Sequence, residues 1–120
     1  MTTRVYPAQA TIWLMSLQST PMYAGVHFEV PSTADPGASE CVSASYARAL
    51  LNWEFVDERT LHSLQTQEWL NLEDTAIVGV AAWDAPFGGN LRLWFQLDEQ
   101  VPIVGRGSWQ LAAQSLVVQV

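Results

Sequence analysis

Between Met22 and Val30 the apolar residues Met22, Ala24, Val26, Phe28 and Val30 alternate with Tyr23, Gly25, His27 and Glu29. Successive side chains of a strand point to opposite faces, so a period of two is usable by a strand and by no helix. Asn90 to Leu97 repeats the pattern, with Leu91, Leu93, Phe95 and Leu97 on one face and Asn90, Arg92, Trp94 and Gln96 on the other. Two further strands are predicted at Leu50–Phe55 and Ile77–Trp83, both central in a sheet, because β-branched and small residues suit a strand covered on both faces. A final strand is predicted over Trp109–Val120 from the alternation of Leu116, Val118 and Val120. Shorter pieces are expected at Thr60–Leu64, Glu68–Leu72 and Val101–Val104.

Turn chemistry falls between these runs. Pro31–Gly37 is rich in Pro, Ser, Asp and Gly, and Asp84–Asn90 holds Pro86, Gly88, Gly89 and Asn90 in the manner of a hairpin loop. Gly105 and Gly107 mark a further break or bulge. One helix is expected over Ala8–Ser19, stopped by Pro21, and a helical turn at Ser43 or Ser45. The expected fold is therefore mainly β: a single antiparallel β-sandwich-like domain spanning residues 1–120, with one short N-terminal helix.

Composition agrees with a folded domain: 49% of the 120 residues are hydrophobic and 14% charged. A chain of this length buries roughly two thirds of its unfolded surface, enough for a core without metal or disulfide staples. The net charge is −7 and Lys is absent, with Arg4, Arg48, Arg59, Arg92 and Arg106 scattered singly. Nucleic acid and anionic membrane surfaces both require clustered cations, so neither is expected as a partner. Cys41 is the sole cysteine, which excludes an internal disulfide, a zinc knuckle and a Cys-x-x-Cys pair. The apolar run Ala76–Trp83 is eight residues long, short of the ~20 of a membrane-spanning helix. The N-terminal segment, interrupted by Gln9, Thr11 and Ser16, makes a poor signal peptide and reads as mature sequence.

The side chains able to do chemistry do not assemble into a catalytic pattern. His27, on the polar face of its strand beside Tyr23 and Glu29, lacks a neighbouring nucleophile, and His62 stands alone between Leu61 and Ser63. Glu40 beside Cys41 raises rather than lowers the thiol pKa. Asp35 and Asp84 could form a glycosidase pair, but each sits in a turn where an Asp usually accepts backbone hydrogen bonds. Asp57, Glu58, Glu73 and Asp74 could offer oxygens to calcium, without the spacing of a calcium loop. No catalytic, cofactor or metal residue is assigned. Six Trp pose a different question. Alternation turns Trp53 inward and leaves Trp94 with Arg92 and Gln96 on the outer face, a composition favoured at protein interfaces. Trp94, Arg92, Tyr23 and His27 are the candidate interface residues; Asp35, Pro36, Gly37, Asp84, Gly88 and Gly89 are the candidate turn motif.

The run Ser32-Thr-Ala-Asp-Pro-Gly-Ala-Ser-Glu40, followed by Ser45-Tyr-Ala-Arg48, then Trp53, the pair Trp83-Asp84 and the pair Gly88-Gly89, resembles a family of small tailed-phage proteins common in phages of actinobacteria. They usually carry the label tail fibre or minor tail protein. The resemblance covers roughly residues 8 to 120, and its specific part is Thr33–Gly37 with Tyr46–Arg48. The charged and bulky stretch Glu54–Glu58 with Glu68, Trp69 and Leu70 departs from the relatives' Gly and Ser. The resemblance implies a non-enzymatic structural protein of the virion, assembled in the host cytoplasm. It would bind other capsid or tail subunits as a capsid decoration, minor capsid, tail fibre or minor tail component. A homo-oligomer such as a trimer is expected on general grounds, without a cofactor. The alternative is a carbohydrate-binding module reading a host glycan through Trp and Tyr; a hydrolase using Asp35 and Asp84 is a third reading.

Overall fold

The computed structural model describes residues 2–4, 16, 18–43, 45–57 and 60–119. Its strands are β1 (Thr2–Arg4), β2 (Met22–His27), β3 (Ala49–Leu51), β4 (Trp53–Asp57) and β5 (Thr60–Ser63), then β6 (Gln67–Trp69), β7 (Thr75–Trp83), β8 (Leu91–Ile103), β9 (Trp109–Leu111) and β10 (Val117–Gln119). They form one sheet ordered β3-β2-β7-β8, a second ordered β1-β10-β5-β4, and the pair β6-β9. Every pairing is antiparallel except β1 beside β10. The protein is thus mainly β, as the alternation dictates.

In the first sheet β2 and β7 lie inside, flanked by β3 and β8. Alternation on β2 sends Met22, Ala24 and Val26 into the core, and on β8 it sends Leu93 and Phe95 to the same core. Leu61 and Val118, from the second sheet, join this cluster together with Leu72 and Leu116 from connecting segments. Full burial of a side chain such as Phe95 stabilises the fold by about 1.5–3 kcal/mol relative to its exposure. The two sheets therefore share one core.

Several expectations are corrected. The strand expected over Leu50–Phe55 is broken at Asn52 into β3 and β4, which enter different sheets, each at an edge rather than at the centre. Local alternation cannot register such a transfer, because Leu51 and Trp53 are both buried whichever sheet receives them. The strand expected over Trp109–Val120 is likewise divided into β9 and β10 by a turn in which Gln114 takes a positive φ of 65°. Conversely, Asn90–Leu97 and Val101–Val104 merge into β8, whose register against β7 slips from Gly79↔Gln96 to Ile77↔Val101. The strand from Met22 stops at His27, short of Val30, and the following loop contains a 3-10 turn at Pro36–Ser39. At Gly105 and Arg106, positive φ angles of 63° and 56° turn the chain after β8. The helix expected over Ala8–Ser19 lies outside the described residues except at 16, 18 and 19, where the Thr20 amide closes a turn on the Ser16 carbonyl. A turn does form at Ser43, whose carbonyl accepts the Tyr46 amide; Ala44 lies outside the described residues.

Candidate functional site

The face of β2 opposite the core carries Tyr23, Gly25 and His27, and the loop after β2 folds back along it. The Phe28 amide donates to the Ser39 carbonyl, the Cys41 amide donates to the Val26 carbonyl, and His27 and Glu40 form an isolated antiparallel bridge. Residues paired across a ladder share a face, so Glu40 is placed over the outer side of the sheet. Gly25 makes room: a Cβ there would lie 2.7 Å from Glu40 Oε2, 3.0 Å from the Tyr46 hydroxyl and 3.2 Å from Trp83 Nε1. A glycine inside a strand marks such a close approach.

Around this point three polar side chains, Glu40, Tyr46 and Arg48, bond to one another and to the backbone. Arg48 grips Glu40 with two hydrogen bonds, Nη2 to Oε1 at 2.6 Å and Nε to Oε2 at 3.1 Å. Its Nη1 donates to the carbonyls of Ala85 at 2.9 Å and Gly88 at 2.7 Å, and its guanidinium carbon sits 3.9 Å above the centre of the Trp83 ring. The Tyr46 hydroxyl donates to Glu40 Oε2 at 2.5 Å and accepts the Val26 amide at 3.2 Å. The side chains of Arg48 and Glu40 are 7% and 15% exposed, so this fork-to-fork pair is largely removed from water. Arg48 thereby ties three separate segments together: the loop carrying Glu40, strand β7 at Trp83, and the hairpin between β7 and β8.

The electrostatics follow from burial and partners. Burial alone would raise the Glu40 carboxyl, but the hydrogen bonds from Arg48 and Tyr46 outweigh it and hold the group below its ordinary value. Burial, and then the Glu40 carboxylate, push the Tyr46 hydroxyl far up. Burial pushes the Cys41 thiol up to about 11, with Glu40 adding to the effect as its position in the sequence implies. His27 is fully buried, with Nδ1 2.8 Å from the Ser39 hydroxyl and its ring stacked on Trp83 and edge-on to Trp94. Desolvation lowers it to about 4, so it is neutral at pH 7. Its Nε2 and Trp83 Nε1 are buried without a hydrogen-bond partner.

The expected site residues are distributed as follows. His27 is corrected from an outer-face interface residue to a buried one, because the returning loop and the two indoles cover it. Tyr23 and Trp94 are half-buried and Arg92 is exposed. The Trp94 ring rests on Gly79, and its Nε1 donates to Gln96 Oε1. Asp84 does organise its turn: Oδ1 accepts the Asn90 amide at 2.7 Å, while Oδ2 accepts Asn90 Nδ2 and Arg92 Nη2. Gly88 and Gly89 supply positive φ angles of 57° and 72° in that hairpin. At Asp35 the expectation is corrected, since its carboxylate makes no capping bond; the Ser32 hydroxyl accepts the Asp35 amide, and Pro36 and Gly37 open the 3-10 turn. His62 pairs with Glu54 across β4 and β5 at 2.7 Å. Among the described residues no three His, Cys, Asp or Glu side chains gather as a metal site, and Asp74 accepts the Gly105 amide; Glu58 lies outside them.

Beside the cluster lies a cleft of about 220 Å³ walled by Tyr46, Ala47 and Arg48 on one side and Pro86, Phe87 and Gly88 on the other. Phe87, at the hairpin tip, is 84% exposed. The Glu40–Tyr46–Arg48 constellation is not foreseeable from periodicity, because all three residues lie outside the named strands, where no strand or helix period relates their side chains. Gly25 within an otherwise regular strand was its one local signal. No model of a known protein family matches the chain, and no curated protein matches it in sequence.

Proposed function

We propose that this chain is a non-enzymatic structural protein of a tailed-phage virion, a single β-sandwich-like domain that binds neighbouring virion subunits as a capsid decoration, minor capsid, tail fibre or minor tail component. The observation that carries the non-enzymatic part is the use to which the buried ionisable cluster is put. Four of Arg48's five N–H donors are accepted by Glu40, Ala85 and Gly88. Both oxygens of Glu40 are engaged by Arg48 and Tyr46, and His27 is held neutral beneath two indoles. Groups so engaged fix a structure; a general acid or base needs a free proton position facing substrate.

The resemblance to small tailed-phage proteins supports the virion part, and the residues that carry it have a common structural use. Tyr46, Arg48, Trp83, Asp84 and Gly88 meet around the β7–β8 hairpin. A pattern of this kind maintains a fold whose partners are chosen elsewhere on the surface. The shared core of the two four-stranded sheets supports the sandwich description. Gold-labelled antibody on purified virions tests the reading: label over the head means decoration or minor capsid, label on the tail means fibre or minor tail, and unlabelled particles refute it.

A second reading, a carbohydrate-binding module, draws on the half-exposed Trp94 beside Arg92 and Gln96. It requires cell-wall glycan binding that Trp94→Ala abolishes, and it fails if millimolar glycan does not bind.

A further inference from the structure

We propose that the segment 28–40 is an acid-opened flap: it stays closed over His27 while the ring is neutral and lifts from the sheet when the ring is protonated. His27 ends β2, which runs inside its sheet between β3 and β7 and so cannot move aside. The ring is fully buried beneath Trp83 on β7, Trp94 on β8 and Ser39 in the flap. The two indoles stand on strands held by the long β7–β8 ladder. The flap is attached more lightly, by the Phe28 amide on the Ser39 carbonyl, by the Ser39 hydroxyl at His27 Nδ1 and by the Glu40 carboxylate. Between these points residues 32–35, 37 and 38 are exposed. Segments with few buried contacts and few backbone bonds open at the lowest cost. Cys41, next along the chain, keeps its side chain in the core and sets the hinge.

A neutral imidazole has one N–H and one acceptor nitrogen, whereas the protonated ring has two N–H groups. Nδ1 lies 2.8 Å from the Ser39 hydroxyl, and Nε2 has no hydrogen-bond partner among the described residues. A proton taken up under the closed flap therefore leaves a buried cation with an N–H that nothing accepts, which is costly. Lifting the flap gives both nitrogens to water. The surrounding charges do not offset that cost. From the flap Glu40 favours the cation, but its carboxylate is engaged by Arg48 and Tyr46, and Arg48 itself disfavours the cation. Trp83 and Trp94 are uncharged, Asp84 and Arg92 at the hairpin end pair with each other, and Glu29, Asp98 and Glu99 are exposed. The closed ring accordingly titrates at about 4 instead of 6.5, and Glu40 below its ordinary value. Both groups bind protons more readily once the flap is open, so acid acts on the ring and on its latch in the same direction.

The flap is independent of the virion reading, and unlabelled particles leave it standing. Hydrogen exchange followed by NMR on the whole chain tests it, with the Phe28 amide reporting the flap and the Val80 and Ala81 amides reporting the sheet. Between pH 7 and pH 4.5 the protection of Phe28, corrected for the intrinsic exchange rate, should fall roughly 50-fold. Val80 and Ala81 should stay more protected than Phe28 at both pH values, and the Cys41 thiol should stay unreactive toward a pyridyl disulfide at pH 4.5. In His27→Gln the fall should be less than about threefold. A wild-type change below about threefold, an equal fall in His27→Gln, or Phe28 exchanging only at the rate of Val80 while Cys41 becomes labelled, which is global unfolding, would overturn the proposal. Should His27→Gln fail to fold, the imidazole NMR signals of the wild type decide. A ring that titrates in step with the loss of Phe28 protection supports the flap, and a ring that titrates near its ordinary value while Phe28 stays protected overturns it.

Discussion

Replacing Arg48 by Met removes the guanidinium while keeping an apolar stem of similar length over Trp83. The structure sets the cost. Glu40, 15% exposed, would retain the Tyr46 hydroxyl as its hydrogen-bond donor and lose both bonds from Arg48, leaving an uncompensated carboxylate against the sheet. Breaking a buried pair in this way costs about 3–5 kcal/mol, and the lost contact to the Trp83 face adds to it. The Gly88 carbonyl is exposed and can be rehydrated, so its loss counts for less, whereas the half-buried Ala85 carbonyl adds to the cost. In a domain of this size the total corresponds to a fall in Tm of about 10–20 °C.

Urea and thermal unfolding of Arg48→Met, Glu40→Gln and the double variant measure it as a cycle. The double variant should recover about 2 kcal/mol or more, because it removes the stranded charge. The pH dependence gives a second check. In the wild type the Glu40 pKa is depressed on folding, so its contribution is present above the ordinary carboxyl value and is lost as pH falls through the lower folded value. In Arg48→Met, burial without Arg48 raises that pKa, and acidification through the same range stabilises the variant instead. The gap between wild type and variant must therefore narrow as pH falls. A loss under about 1 kcal/mol, the worth of an exposed pair, or a gap independent of pH, would refute the account of Glu40 and Arg48 as a buried latch.

Three other outcomes are expected. Since the folded pKa of His27 is lowered from 6.5 to about 4, the unfolded chain binds a proton that the folded one does not, and stability falls as pH drops from 6.5 to 4. That is roughly 3 kcal/mol over the window, and His27→Gln should flatten this part of a pH series of urea melts. In Gly79→Ala a Cβ would collide with the Trp94 ring and lie 2.6 Å from the Phe95 carbonyl; the expected loss is about 1–3 kcal/mol, with a shifted Trp emission maximum, whereas Gly37→Ala, which meets nothing within 4 Å, should be neutral. Cys41, buried with its thiol near 11, should resist a thiol reagent at pH 8 until the chain unfolds, so its labelling rate should track urea concentration.

Much of the architecture is legible locally. The alternations in Met22–His27 and Leu91–Leu97 identify the strands and their core faces, because period-two burial is written residue by residue. The Asp84–Asn90 hairpin is equally local, built by a carboxylate that reaches an amide six residues away and by two glycines with positive φ. What fails is what depends on destination. Asn52 lets the chain pass from one sheet to the other between two buried residues, and nothing in Leu51-Asn-Trp53 distinguishes that passage from a continuous strand.

The site divides the same way. A mainly β domain, and a turn organised by Asp84, follow from residue type and spacing, since these are properties of short segments and their own backbone. The burial of His27 and the pairing of Arg48 with Glu40 follow from the loop after β2 returning over the outer face of the sheet, and from a hairpin about forty residues on offering two carbonyls to the same guanidinium. Alternation specifies that His27 and Gly25 share a face; whether that face meets water or protein is decided by non-local contacts, which no local period encodes.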